Sequence, residues 1–425
     1  MRHGLLLNFL WILAYSLTMH SCKEERVFPQ VSIELPDEGS VYNYGDTIRV
    51  RVLVERADEG IIPNVLKGDQ VVRFPYEIYD HTDNEYLLFF FYRDKYLESG
   101  NYDIRITTFN GENKSSDFRE IRINEFPRRY RGLVAVSGSG TTRLISKVDS
   151  SGGVKTVGLS GDHTYVACSG SFNQVLTAPE TSGQFLAFGF EELNSEYSLP
   201  NPRPQGAAQY RNVYAFGQRV YALLANDRVF NLNSAGGLES SFSLQDPFIA
   251  YCADGVSDER IVVSAKEETA NDWRLFVLNP ASGFVEKQAF TKPDVKGVSY
   301  AGNGHTFFTY PFNNQAVIAD YNHQTGQVSE QYFIPDEVPV DILVRNGVGF
   351  LATEQKVYTF DPALPGMVTE RFTFGVSSLA YDQVNAEVYM ASGNTVYKTG
   401  LSTGGNVYVT GTTEKIHDIA VMYNK

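Results

Sequence analysis

Arg219-Val220-Tyr221-Ala222-Leu223-Leu224, then Ala225-Asn226-Asp227, then Arg228-Val229-Phe230-Asn231-Leu232-Asn233 follow one another near the middle of the chain. Two short apolar runs separated by a small polar triplet read as a β-hairpin. The hairpin recurs. The residues equivalent to Tyr221 are Val134, Leu176, Val263, Phe308, Phe350 and Tyr389, and the seven lie 42, 45, 42, 45, 42 and 39 residues apart. The second strand keeps step through Ile145, Leu186, Phe230, Phe276, Ile318, Tyr358 and Tyr397. Two strand families at one period of roughly 40 to 45 residues are the signature of propeller blades.

Each unit also has room for a strand before the hairpin and one after it. Earlier strands read Tyr165-Val166-Ala167-Cys168, Val213-Tyr214-Ala215-Phe216 and Leu379-Ala380-Tyr381, and only the first repeat lacks one. Asp418-Ile419-Ala420-Val421-Met422 is expected to supply it from the other end of the chain. The expectation over residues 132–425 is therefore a seven-bladed β-propeller closed by the C-terminal strand. Such closure removes the open sheet edges that would otherwise template aggregation.

The rest of the 425-residue chain also reads all-β, since no sustained period of 3.6 residues appears beyond the N-terminus. A net charge of −14 argues against nucleic acid or anionic lipid as a partner, because no basic patch offsets it. Arg128-Arg129-Tyr130-Arg131 is a short basic run at the end of a linker over 125–131.

Arg2 and His3 open the chain, Leu5 to Leu17 is an apolar run too short to span a bilayer comfortably, and Ser21-Cys22 closes it. Residues 1–22 resemble a bacterial lipoprotein signal, which implies that Cys22 is the lipidated mature N-terminus. Met19 and His20 fit the relaxed lipobox of Bacteroidetes-type lipoproteins. Lys23-Glu24-Glu25, in a tether over 23–30, resembles the signal that sends such proteins to the outer face of the outer membrane.

Residues 31–124 alternate like a half-buried sheet in Ile48-Arg49-Val50-Arg51-Val52-Leu53-Val54, and Tyr86-Leu87-Leu88-Phe89-Phe90-Phe91-Tyr92 is a nearly continuous apolar run. An Ig-like β-sandwich is expected. It resembles the PKD-like or Ig-like modules that follow the anchor in Bacteroidetes surface proteins, which implies a spacer.

The propeller's third strands end in turns such as Asn279-Pro280-Ala281-Ser282-Gly283 and Asp361-Pro362-Ala363-Leu364-Pro365-Gly366. This pattern resembles propellers of the YVTN, NHL and quinoprotein-like group. The WD dipeptide of WD40 repeats is missing.

Chemistry is harder to find. Cys168 and Cys252 sit in matching strands two periods apart, too far for a disulfide, and read as core residues. His81, His163, His305, His323 and His417 show no metal-ligand spacing. No catalytic signature or cofactor motif stands out. His163 and His417 enter first strands, with Asp162, Asp418 and Asp341 at similar places, so they become channel-mouth candidates for acid/base work or strand-end capping. Loops on the same face carry Trp273, Tyr310 and Phe312 as a possible aromatic platform, with Asn313, Asn314 and Arg203 to supply hydrogen bonds. The family resemblance implies an oligosaccharide or peptide binder that accompanies a Sus-type importer. The competing readings are a propeller glycoside hydrolase or polysaccharide lyase, and a non-catalytic interaction scaffold.

Overall fold

The computed structural model describes residues 28–425, apart from 58, 59, 69, 73, 83, 98, 205, 217, 218, 245–247, 258, 259, 268, 402 and 403. The expected targeting segment over 1–22, with Cys22, and most of the expected tether lie outside the described residues. All regular structure among the described residues is β-strand. The chain divides into two compact units, one ending at Pro127 and the other beginning at Arg128.

The first unit is built from two sheets around one apolar core. One has the order Gln30–Leu35, Thr47–Glu55, Glu85–Phe91, Tyr76–Thr82; the other has Ser40–Asn43, Asn113–Asn124, Gly100–Asn110, Ile61–Lys67, Gln70–Val72. Ile48, Val50, Val52 and Val54 point inward from one strand to meet Ile104, Ile106, Ile121 and Ile123 in the core. Glu85–Phe91 departs from the fully buried run suggested by its sequence. Leu88 and Phe90 are buried, while Leu87, Phe89 and Phe91 stay half-exposed, because only one face of its sheet meets the core.

The second unit contains five four-stranded antiparallel sheets in chain order, over residues 210–243, 248–291, 297–335, 339–372 and 378–411. A seven-stranded sheet completes it. There Ile416–Tyr423 pairs with Tyr130–Ser139 in the register Leu133 to Val421, Val134 to Ala420 and Ala135 to Ile419. The long Val154–Ser169 strand pairs first with Thr142–Asp149 and then with Gln174–Gly183. Between its halves sits Gly161 at φ +117°, where a Cβ would lie 2.2 Å from the Ser182 carbonyl oxygen, so only glycine fits.

First strands of successive sheets pack side by side. Val154–Ser169 meets Tyr210–Phe216, which meets Phe248–Ser257, and the series runs on through Gly297–Gly302, Pro339–Arg345 and Ser378–Asp382. Ile416–Tyr423 stands between the last of these and Val154–Ser169, so the circuit closes. This is a β-propeller. Apolar clusters join neighbouring sheets face to face, as where Tyr221 and Leu223 meet Val263, Ala265 and Phe276. Burial on both faces explains why the second strands read as unbroken apolar runs.

Candidate functional site

The strands lining the axis share an irregularity at one end. Where they enter the ring, β-bulges leave His417, Thr164, Arg211, Tyr251 and Val340 without a direct cross-strand partner. A bulge bends its strand and re-aims a side chain. All five of these residues are half-exposed. Lys296 and Ser377 immediately precede Gly297–Gly302 and Ser378–Asp382, with backbone N–H groups donating to the Thr309 and Ala391 carbonyls. Together these residues rim one axial mouth. Apolar periodicity carries no signal for such a bulge, and the sequence pointed only to His417.

One residue farther along, the side chains serve the backbone. Asp418 accepts hydrogen bonds from Val166 N at 2.9 Å, from Ile419 N at 2.9 Å and from the Ser378 hydroxyl at 2.7 Å. Asp341 accepts from Leu379 N at 2.9 Å and Ile342 N at 2.8 Å. Deeper in, Asp254 accepts from Tyr300 N at 2.8 Å and pairs with Arg345 at 3.0 Å. The Tyr214 hydroxyl and Ser299 Oγ take the N–H groups of Ala253 and Val344. Asp341, Asp254, Tyr214 and Ser299 each clamp one sheet to another, and Asp418 ties Ile416–Tyr423 both to Val154–Ser169 and, through Ser378, to the neighbouring sheet. An innermost strand has no further strand beside it, so its inward N–H groups need side-chain acceptors. Burial pushes the Asp341 carboxyl up to about 7, against the pull of the two N–H groups, and the charges of Asp418 and Asp254 add to the rise. Burial raises Asp418 as well.

The two candidate histidines come to the same rim, and both are engaged. His163 is fully buried with Nδ1 3.1 Å from Thr177 Oγ1, and burial lowers it to about 4. His417 Nε2 lies 2.6 Å from Arg143 Nη1 and 2.9 Å from the Gly138 carbonyl oxygen. A guanidinium only donates and a carbonyl only accepts, so this one ring nitrogen can serve only one of the two at a time. Burial, then the Arg143 charge, holds His417 below its ordinary value. Neither Asp418 nor Asp341 shares a hydrogen bond with these rings; their partners are the clamp donors.

The expected aromatic platform is corrected by burial. Trp273 is 4% exposed and packs on Tyr251 with ring centroids 4.8 Å apart. Tyr310 is 1% exposed, and its hydroxyl donates to Glu330 Oε1 at 2.5 Å. Both rings lie near strand ends but face into the packing between sheets, so they offer no open shelf. Phe312 alone of the three is exposed, at 38%, with the Lys292 ammonium 5.4 Å from its centroid. Asn313 and Asn314 have φ of 51° and 59° and form the two-residue hairpin turn that such angles demand. The Asn314 amide also donates to Asp336 at 2.7 Å. Arg203 is held by the Ala225 carbonyl at 2.6 Å. Turn chemistry and loop closure account for these three polar residues.

Cys168 and Cys252 are free thiols, half-buried and buried respectively, and burial pushes Cys252 up to about 12. At the opposite end of its sheet, His305 Nδ1 lies 2.8 Å from Asp320 Oδ2. No group of three or more His, Cys, Asp or Glu placed to hold a metal occurs among the described residues.

No protein-family model matches the chain, and no curated protein resembles it in sequence. Solved structures do resemble it in shape. A protein from Lactobacillus plantarum superposes with a TM-score of 0.52 at 12% identity, over 69% of this chain and 99% of its own. The β-propeller domain of Cps50 (Swd1) from Myceliophteria thermophila gives 0.47 at 11% identity, over 62% and 91%. A quinoprotein alcohol dehydrogenase-like protein from Bacteroides thetaiotaomicron gives 0.44 at 11% identity, over 93% and 96%. At such identities the likeness is one of fold alone; it is the closed circuit of sheets that makes the larger unit of this chain a β-propeller.

Proposed function

We propose that this chain is a non-catalytic, ligand-binding propeller carried by a lipoprotein at the outer face of an outer membrane. In this reading Cys22 bears the lipid, the first unit is an Ig-like spacer, and the seven-stranded sheet counts as two blades joined through Val154–Ser169, for seven blades in all. The ligand is an oligosaccharide or a peptide taken up by a Sus-type importer. Anchor, spacer and importer rest on the resemblance of the leader and of the module order.

The observation that carries the binding reading is the commitment of the mouth's acid/base groups. A hydrolase or lyase needs a carboxyl or imidazole free to move a proton to or from substrate. Here His163 is buried and neutral, His417 faces a guanidinium, and the oxygens of Asp341 and Asp418 hold backbone N–H groups. The half-exposed bulge residues beside them are what a ligand would meet. A second reading, an interaction scaffold, draws support from Phe290, Phe333 and Tyr408, which stand 67%, 51% and 64% exposed on outermost strands.

The test is a binding screen of the soluble form beginning after Cys22 against oligosaccharide and peptide panels, with product analysis after long incubation. Saturable binding that leaves the ligand intact is the expected outcome. Product formation abolished by His417→Ala would replace this reading with an enzyme.

A further inference from the structure

Two cations at or beside the rim, Lys296 and Arg143, have partners. Lys296 Nζ lies 2.8 Å from Asp294, and Arg143 bonds the Gly138 carbonyl and His417. Arg211 differs. Its guanidinium carbon sits 4.8 Å from the centroid of the Tyr251 ring, and no hydrogen bond or ion pair engages it among the described residues. Its Nε is buried without an acceptor. On the same Tyr251 ring packs Trp273, whose Nε1 is also buried without an acceptor. Arg211 and Tyr251 are both bulge residues, so the backbone irregularity that re-aims one side chain re-aims the ring beneath it.

A guanidinium is planar and presents its N–H groups as a fork that can grip two carboxylate oxygens at once. The chain's net charge of −14 disfavours anions in general, so a cation left unpaired at the axial mouth is a local provision. We propose that Arg211 is the receptor for a carboxylate of the ligand, with its guanidinium backed by the Tyr251 ring. This rests on the binding function proposed above and specifies the chemistry of its ligand. A uronate sugar and the C-terminus of a peptide both present that group.

The test compares acid and neutral forms of the same ligand by calorimetry on the chain beginning after Cys22. One arm uses trigalacturonate and its methyl ester; the other uses short peptides with a free or an amidated C-terminus. In one arm the acid form binds at least about tenfold more tightly than its neutral counterpart, the range expected when hydrogen bonds to a charged group are lost. Arg211→Gln removes that preference, and Arg211→Lys retains part of it. Added salt shrinks the preference in the unsubstituted protein, which tests the idea without any variant. Equal binding of acid and neutral forms, or a preference that survives Arg211→Gln, overturns the carboxylate site while leaving ligand binding intact. Failure of every ligand to bind overturns both.

Discussion

The bulge residues at the axial mouth and the residues next to them in sequence make an instructive pair. His417 precedes Asp418, and Val340 precedes Asp341; the first of each pair is left unpaired by a bulge, the second is tied to a neighbouring sheet. The difference comes from the backbone. A bulged residue has no ladder neighbour to satisfy and its side chain is free to face outward, whereas the next residue lies beside unpaired N–H groups of the following strand. Adjacent residues therefore do different work, one half-exposed at the rim and one holding the ring together.

The largest effect that separates the two sets is expected at Asp418. Asp418→Ala strands the Val166 and Ile419 N–H groups and the Ser378 hydroxyl, and should lower unfolding free energy by about 3 kcal/mol in denaturant titration. An unchanged midpoint would show that the clamp contributes nothing.

Next comes pH. The folded-state value of Asp341, near 7 against an ordinary 3.8, means that between those limits the folded chain keeps a proton which the unfolded chain has released. Its contribution therefore falls as pH rises, by at most about 1.4 kcal/mol per unit, and the loss is complete above pH 7. His163 works the other way, since burial lowers it from 6.5 to about 4 and stability is lost as pH falls through that window. The two slopes oppose each other between about pH 4 and 6.5. Asp341→Asn should unmask the His163 slope, seen as a thermal midpoint that drops more steeply on acidification than in the unsubstituted protein. A profile identical to the parent's would contradict the buried setting of Asp341.

Tyr310→Phe leaves the ring packed but removes the donor to Glu330, for an expected cost of about 1 kcal/mol with ligand affinity unchanged. Loss of affinity instead would restore Tyr310 to the binding surface. The smallest effect belongs to the rim: Thr164→Ala should change stability by no more than about 0.5 kcal/mol, as half-exposed substitutions usually do. A larger loss would mean that the bulge tier is structural too.

The repeat was legible because packing on both faces imposes it. Val134, Leu176, Tyr221, Val263, Phe308, Phe350 and Tyr389 all fall in second strands, and Ile145 through Tyr397 in third strands, where apolar residues are needed at every turn of the circuit. The residues at the mouth were only half legible. His163, His417, Asp341 and Asp418 were found because they stand at strand entries, yet Arg211 and Tyr251 escaped, since a bulge shifts register without altering composition. Trp273 and Tyr310 were misplaced for a related reason: a large aromatic beside a turn can face solvent or the next sheet, and spacing along the chain does not distinguish them.

The Val154–Ser169 strand has a consequence for accuracy of assembly. Because one uninterrupted strand is ruled on one side by Thr142–Asp149 and on the other by Gln174–Gly183, its two halves cannot choose their pairing independently. A slip of a single residue in either half would turn its side chains to the wrong face. The mistake would be handed straight to the adjoining sheet and could not stay local. Gly161 and the bulge at Thr164 are the joints in that ruler, and a chain lengthened by one residue outside them should misassemble at the place where the circuit is sealed.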